Sequence, residues 1–131
     1  MTTKNVHLLV SGSRGIVDVQ WVEARIEQAL LTDWGLTLDH VALVLNGNAM
    51  GVDTIARKWA AHKGLPLKLY KPDWARHGKA AGILCNQKMV QEATHVIALW
   101  DGTSAGTRDV IATAEKAGKK VLVYKRVTAS I

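Results

Sequence analysis

The sequence has little of several residue types, and each shortage excludes a class of protein. It contains one cysteine, Cys85, so no disulfide forms within the chain, and no Cys/His cluster has the spacing of a zinc site. No apolar run approaches the roughly 18 residues of a membrane-spanning helix. The first apolar run has the length of a strand and not of a signal-peptide core. We therefore expect a cytoplasmic protein with no membrane contact and no bound metal.

The composition is that of a folded chain that is basic in one half only. Apolar residues make up 48% of the 131 residues, which predicts a single globular domain over residues 1–131. Residues 1–53 hold three Lys or Arg against six Asp or Glu, whereas residues 54–131 hold fourteen against five. The basic half is compatible with solvated helix faces or with a surface for a polyanion, either a nucleotide or a nucleic acid.

Short apolar runs alternate with helical patterns along the chain. The runs have the length and β-branched content of strands, and they lie at residues 6–10, 41–45, 65–70, 94–100 and 121–124. The helical patterns lie at about residues 18–34, 50–62, 78–93 and 104–117. Nearly continuous apolar strands separated by helices predict an α/β, Rossmann-like fold, in which a doubly wound, parallel, five-stranded sheet has helices on both faces.

Glycine and polar residues gather after the predicted strands. The carboxyl ends of parallel strands share one edge of the sheet, where ligands of open α/β sheets bind. The segments at this edge are SGSRG from residue 11, NGNAMGVD from 46, KPDWARHGKAAG from 71 and DGTSAGT from 101. Eight of the eleven glycines fall in them. This distribution favours a ligand site over ordinary turns.

Two of these segments, SGSRG and GTSAGT, combine glycine and hydroxyl groups directly before a predicted helix. Glycine lets the backbone approach a phosphate closely, and the start of a helix attracts an anion. Arg14 and Arg108 add donors for phosphate oxygens. Neither a GxxxxGK[ST] nor a GxGxxG motif is present, so ATPase and classical dehydrogenase chemistry are not indicated and no cofactor is predicted.

Four ordered motifs resemble those of the SLOG superfamily, specifically its small YspA-related branch. They are GSRG, GNAMGVD, DWARHGKAAGILCN and WDGTSAGT, and the similarity extends over residues 5–125. The superfamily takes its name from the DNA-processing protein Smf/DprA and the LOG phosphoribohydrolases. The resemblance implies a bacterial or phage domain that binds a small nucleotide or nucleotide-derived ligand, such as an ADP-ribose or NAD-like molecule, as a sensor or sequestering module.

The resemblance and the loop chemistry together assign a set of ligand contacts at the carboxyl edge. These are Ser11, Gly12, Ser13, Arg14, Gly47, Gly51, Asp53, Trp74, His77, Lys79, Asn86, Asp101, Gly102, Thr103, Ser104, Gly106, Thr107 and Arg108. The chain departs from the usual motifs at two positions: Asn48 replaces a glycine and Cys85 replaces an arginine. The second departure weakens any role that requires a third cation.

Whether the chain is an enzyme depends on a carboxylate. LOG enzymes carry a catalytic glutamate three positions after the threonine of their phosphate loop, and the matching residue here is Val110. Because an aliphatic side chain transfers no proton, hydrolysis by the LOG route is disfavoured. Asp53, Asp101 and Asp109 remain candidates for a nucleotide N-glycosidic or phosphate-bond hydrolase, although Asp53 is equally suited to cap a helix.

Several alternatives stay open for single residues and for partners. His77 fits a ligand contact or a surface cap, and Trp74 and Trp100 fit stacking on a base or simple packing. Single-stranded DNA binding is the third functional alternative, by analogy with the DNA-processing relatives. A homo-oligomer, dimer or tetramer, is expected through Trp21 or Trp34.

Overall fold

A computed structural model describes residues 3–127, which form one parallel sheet with helices on both faces. The strands lie in the order β3-β2-β1-β4-β5: β1 Val6–Gly12, β2 Val41–Asn46, β3 Leu67–Leu69, β4 His95–Trp100 and β5 Lys120–Lys125. The α-helices are α1 Val19–Glu27, α2 Val52–His62, α3 Trp74–His77, α4 Ala81–Glu92 and α5 Ala105–Lys116. The predicted Rossmann-like fold is confirmed. Within these residues, no helix combines the length and apolar character needed to cross a bilayer.

Both faces of the sheet are covered because successive side chains of a strand point to opposite sides. Leu8 and Val10 of β1 pack in the cluster that contains α1 and α2, whereas Leu9 packs in the cluster that contains α4 and α5. The helices change face where the strand order reverses, between β1 and β4. The carboxyl ends of β1 and β4 therefore flank the switch point, where such folds bind ligands.

Three elements differ from the predicted bounds for local reasons. The first helix passes at Gln28 into a π-helix, Gln28–Asp33, so its apolar face shifts before the chain turns. The predicted third helix, residues 78–93, begins as a 3-10 turn, Gly78–Ala80, and continues as α4. The short helix α3 before it was not predicted, and Gly78, with a φ of +54°, separates the two. Strand β3 is short and lies at the edge of the sheet, directly after Pro66, which has no N–H to donate.

The two tryptophans proposed for assembly contacts are half-buried against their own chain. The Cζ atom of Arg126 lies 5.2 Å from the ring centroid of Trp21. Trp34 meets His95 edge-on, with the ring centroids 4.8 Å apart. These contacts give both indoles a role within the monomer, and the homo-oligomer stays a prediction.

Candidate functional site

The segments after β1, β2, β3 and β4 surround one cleft at the carboxyl edge of the sheet. Its volume is about 290 Å³, close to the lower limit of roughly 300 Å³ for small-molecule sites. Many of the predicted ligand contacts line it: Ser11, Gly12, Ser13, Arg14, Gly47, Asp53, Trp74, Asn86, Ser104, Gly106 and Thr107. The fold thus brings together residues up to 96 positions apart in the sequence, from Ser11 to Thr107.

The other predicted contacts do not line the cleft. They are Gly51, His77, Lys79, Asp101, Gly102, Thr103 and Arg108. Arg108 instead lies over Trp100, with its Cζ atom 5.5 Å from the ring centroid, and Lys125 Nζ lies 5.9 Å from the same centroid. Trp100 therefore interacts with two cations outside the cleft, and Trp74 is the better placed of the two tryptophans to meet a ligand.

Ser13 joins the loop after β1 to the loop after β4. Its Oγ atom lies 2.7 Å from Oγ of Ser104 and accepts a hydrogen bond of 3.0 Å from the N–H of Asp101. Its own N–H donates to the carbonyl of Leu99 at 3.0 Å. Ser13 is buried, so its hydroxyl holds two walls of the cleft in register through bonds within the protein.

Gly12 and Gly51 are required by contacts within the protein. A Cβ atom on Gly12 would lie 2.5 Å from the carbonyl oxygen of Leu99 and 2.6 Å from Cβ of Val52. Gly51 has a φ of +71°, and a Cβ atom there would lie 2.4 Å from the carbonyl oxygen of Arg14. These glycines let the loops after β1 and β2 pack directly on each other, which builds one side of the cleft.

The start of α5 is open on the other side of the cleft. Its first backbone hydrogen bond runs from the N–H of Arg108 to the carbonyl of Ser104, at 3.2 Å, and the Ser104 side chain does not cap the helix. The N–H groups of Ala105, Gly106 and Thr107 precede that bond. A Cβ atom on Gly106 would meet nothing within 4 Å. The helix start therefore offers free donors and free space to an anion.

Asp101 caps the loop before α5 and lies outside the cleft lining. Its Oδ1 atom accepts the N–H groups of Thr103 and Ser104, both at 2.8 Å. These two donors lower the pKa of Asp101 to about 2. The carboxylate is therefore ionised near neutral pH, where it cannot act as a general acid.

Two further positions bear on hydrolysis, and neither supplies a carboxylate to the cleft. Oδ2 of Asp109 accepts a 2.9 Å hydrogen bond from Nδ2 of Asn86, which ties α5 to α4. Val110 is buried in the core on the α4 and α5 side of the sheet. Asp53 is thus the one of the three candidate carboxylates that lines the cleft.

Asp53 is a buried carboxyl with one oxygen unused. It is 5% exposed, and its Oδ2 atom accepts the N–H of Ala49 at 3.1 Å. Oδ1 has no hydrogen-bond partner among residues 3–127. Burial raises the pKa of Asp53 to about 6, although the N–H groups of Ala49 and Gly12 and the charges of Arg57 and Arg14 lower it. The Gly12 N–H lies near enough to lower this pKa, but no hydrogen bond joins it to Oδ1, so Oδ1 is a buried oxygen without a partner among the described residues.

Arg14 and Trp74 lie at the rim of the cleft. Arg14 is exposed and forms no salt bridge with the described residues. Trp74 is 59% exposed and begins α3 directly after Asp73, whose Oδ1 atom accepts the N–H of Arg76 at 3.1 Å. The rim therefore offers a free guanidinium and an exposed flat ring.

Some cleft residues were not predicted as ligand contacts: Ala49, Pro72, Gly82, Cys85 and Met89. Cys85 and Met89 are four residues apart on α4, and both are buried in the core cluster on that side of the sheet. Burial raises the pKa of the Cys85 thiol. The helical spacing identified this inner face, but only the strand order shows that the face extends into the cleft. The structure describes no three His, Cys, Asp or Glu side chains in residues 3–127 that converge as metal ligands do.

Comparison with known proteins agrees with the motifs. The model of the family described as YAcAr, the YspA, cpYpsA-related SLOG family, matches residues 6–77. The chain is 35% identical over 124 residues to the Gene 61 protein of Mycobacterium phage D29, and the match covers 89% of this chain and 94% of that relative. No solved structure matches the chain. With more than half of its residues matched by the family model and the motifs present in order, the chain belongs to the YspA, cpYpsA-related SLOG family.

Proposed function

We propose that the cleft binds a small nucleotide or nucleotide-derived ligand of the ADP-ribose or NAD type, and that the protein acts as a sensor or sequestering module. One observation carries the proposal. A helix start, a rim guanidinium without a salt bridge and a buried carboxyl with a free oxygen all converge on the same cleft. Membership of a SLOG family supports a nucleotide-related ligand.

The start of α5 and Arg14 are suited to phosphate. Backbone N–H groups and the helix dipole attract an anion, and Gly106 leaves room for one. A guanidinium donates two parallel hydrogen bonds to phosphate oxygens. Because Arg14 has no carboxylate partner among the described residues, a phosphate does not have to displace one.

Trp74 is suited to the base of the same ligand. Its exposed indole lies at the rim, and flat aromatic rings stack on nucleobases with little regard to base identity. The ligand would then extend from the start of α5 to the rim. This arrangement resembles other open α/β sheets, which bind nucleotides across the switch point.

Hydrolysis is the second candidate function, and Asp53 is the observation that favours it. A cleft carboxyl with a pKa of about 6 is suited to proton transfer near neutral pH. The described residues place no second carboxylate in the cleft lining, so the reaction would need water or the ligand itself as the other participant. Chromatography of AMP, NAD and ADP-ribose after incubation with the protein tests this function; turnover that Asp53→Asn abolishes would favour it over binding alone.

Isothermal titration calorimetry with AMP, ADP, ADP-ribose, NAD and inorganic phosphate tests the proposed function. We expect at least one nucleotide to bind more tightly than millimolar, and more tightly than inorganic phosphate, because it also contacts Trp74. Absence of binding by every nucleotide, with folding verified by circular dichroism, would refute the proposal. A labelled single-stranded oligonucleotide belongs in the same series, since tight and strongly salt-dependent binding would favour the DNA alternative instead.

A further inference from the structure

We infer that Asp53 selects ribose-containing ligands by accepting a hydrogen bond from a sugar hydroxyl, because this carboxyl lines the cleft and its Oδ1 atom has no hydrogen-bond partner among residues 3–127. The inference rests on the proposed function and narrows it. The expected ligands are then ribosyl phosphates. Inorganic phosphate and analogues that lack the ribose hydroxyls should bind more weakly. Asp53 is then the residue that determines specificity, while Arg14 and the start of α5 supply affinity for phosphate.

The unused oxygen is the first argument for a ligand partner. Asp53 is 5% exposed, and the described protein groups satisfy Oδ2 but not Oδ1. A buried acceptor without a partner destabilises a fold, and such groups are rare in native proteins. Because Asp53 lines the cleft, a ligand is the natural source of the missing donor.

The charge of the carboxylate argues for a hydroxyl donor. An ionised Asp53 repels phosphate oxygens, so the phosphate is expected at the opposite wall, at the start of α5. A sugar hydroxyl is neutral and donates well to a carboxylate. Asp53 lies in the first turn of α2, after the loop of residues 47–51 that follows β2.

Arg14 is the alternative partner within the protein. Its charge lowers the pKa of Asp53, so its guanidinium lies within electrostatic reach. If Arg14 satisfied Oδ1 when a ligand binds, the sugar hydroxyl would not be needed. The Arg14→Ala variant separates these possibilities. Our inference predicts weaker binding of every phosphate ligand with an unchanged preference for ribose.

The direct test compares ADP with 2′,3′-dideoxy-ADP, which keeps the base and both phosphates but lacks both ribose hydroxyls. At pH about 8, where Asp53 is ionised, we expect the dideoxy compound to bind about ten- to a hundredfold more weakly, as for the loss of one hydrogen bond to a charged group. Isothermal titration calorimetry gives the dissociation constants of both compounds. Equal affinities would overturn the inference while leaving the proposed function intact. Absence of ADP binding would also overturn it, and the rest of the nucleotide series would then decide the proposed function.

The Asp53→Asn variant assigns the discrimination to this residue. The amide oxygen of the variant is fixed by the Ala49 N–H, so its NH₂ group takes the place of Oδ1 and faces the hydroxyl donor. The hydroxyl can then only accept from this NH₂ group, so we expect the preference for ADP over the dideoxy compound to fall, because a neutral hydrogen bond replaces a charge-assisted one. Asp39→Asn is the matched control, because Asp39 is exposed and precedes β2, at the edge of the sheet away from the cleft, and it should keep the preference. A preference that is undiminished in Asp53→Asn refutes the inference.

The pH dependence of wild-type protein covers the case in which Asp53→Asn does not fold. Protonation turns a charge-assisted hydrogen bond into a neutral one of about half the strength. The preference for ADP should therefore narrow as the pH falls through about 6. The other charged or titratable groups near Asp53 are Arg57 on α2, Arg14 on the loop after β1 and the Cys85 thiol on α4. A preference that is constant from pH about 8 to about 5 would contradict the inference.

Discussion

Gly12 and Gly106 lie on the same edge of the sheet and line the same cleft, yet they have opposite surroundings. A Cβ atom on Gly12 would overlap the carbonyl of Leu99 and the side chain of Val52. A Cβ atom on Gly106 would meet nothing within 4 Å. The sequence pattern predicted one purpose for both, close approach to a phosphate. On the side of the cleft after β1, glycine is needed because the loops of the protein pack closely on each other. At the start of α5, glycine leaves space that no described protein atom fills.

This difference separates stability from ligand binding along one edge. Ser13, Gly12 and Gly51 hold the loops after β1, β2 and β4 against each other, so changes there should affect folding. Arg14 and Gly106 touch the cleft without supporting those contacts, so changes there should affect binding. Asp53 belongs to both groups, because it packs with the loop after β2 and keeps an oxygen for a ligand.

The largest expected effect is on the packed side, for Gly51→Ala. The new Cβ atom would lie 2.4 Å from the backbone of Arg14 at a φ of +71°. Backbone strain and overpacking together should lower the free energy of unfolding by on the order of 3 kcal/mol. Urea unfolding measures it, with Gly15→Ala as the control, since a Cβ atom on Gly15 would meet nothing within 4 Å and its φ is not positive. Equal stability of the two variants would show that the packing of the loops after β1 and β2 does not require a glycine at position 51.

The next effect is the pH dependence of stability that Asp53 produces. Its pKa is raised from 3.8 to about 6 on folding, so between these values the folded protein binds more protons than the unfolded chain. The free energy of unfolding therefore falls as the pH rises through this window. The wild type should lose roughly 2–3 kcal/mol relative to Asp53→Asn between pH 4 and 7. Parallel stability curves for the two proteins would show that Asp53 is not buried as described.

For Arg14→Ala we expect a loss of affinity with unchanged folding, because the exposed guanidinium lines the cleft and forms no salt bridge with the described residues. A charge-assisted hydrogen bond contributes roughly 1.5–3 kcal/mol, so Arg14→Ala should bind the best nucleotide about ten- to a hundredfold more weakly. Arg14→Lys should be intermediate, since it keeps the charge but loses the paired donors. Calorimetry and thermal melting on the same samples give both quantities. A lowered melting temperature with unchanged affinity would mean that Arg14 only braces its loop.

Much of the fold was predictable, because the apolar runs and the helical spacing lie in strict alternation. The bounds of β2, β4, β5 and α5 differ from prediction by two residues or fewer. The short helix α3, the 3-10 turn that begins at Gly78 and the π-helix after α1 depend on backbone angles that apolar periodicity does not encode. The sequence also indicated the ligand edge, since glycine and polar residues gather there.

The roles of single residues within the edge were less predictable. Ser13 and Gly51 lie in segments whose composition is typical of ligand-binding loops, but both residues contact protein groups that are distant in the sequence. Cys85 and Met89 have the spacing of a core face, which the strand order extends into the cleft. Local sequence does not specify which backbone lies opposite a glycine or a hydroxyl. That information depends on the packing of the loops after β1, β2 and β4.

We propose that a ligand anion binds in the open space at the start of α5, and the Gly106→Ala variant tests this proposal. Alanine is the better helix former and meets no protein atom within 4 Å there, so the free energy of unfolding should rise by up to about 1 kcal/mol. The same methyl group should obstruct the anion and weaken binding of the best nucleotide by about tenfold. Calorimetry together with urea unfolding measures the pair of effects. Higher stability with weaker binding is the predicted result, and higher stability with unchanged affinity would contradict the account.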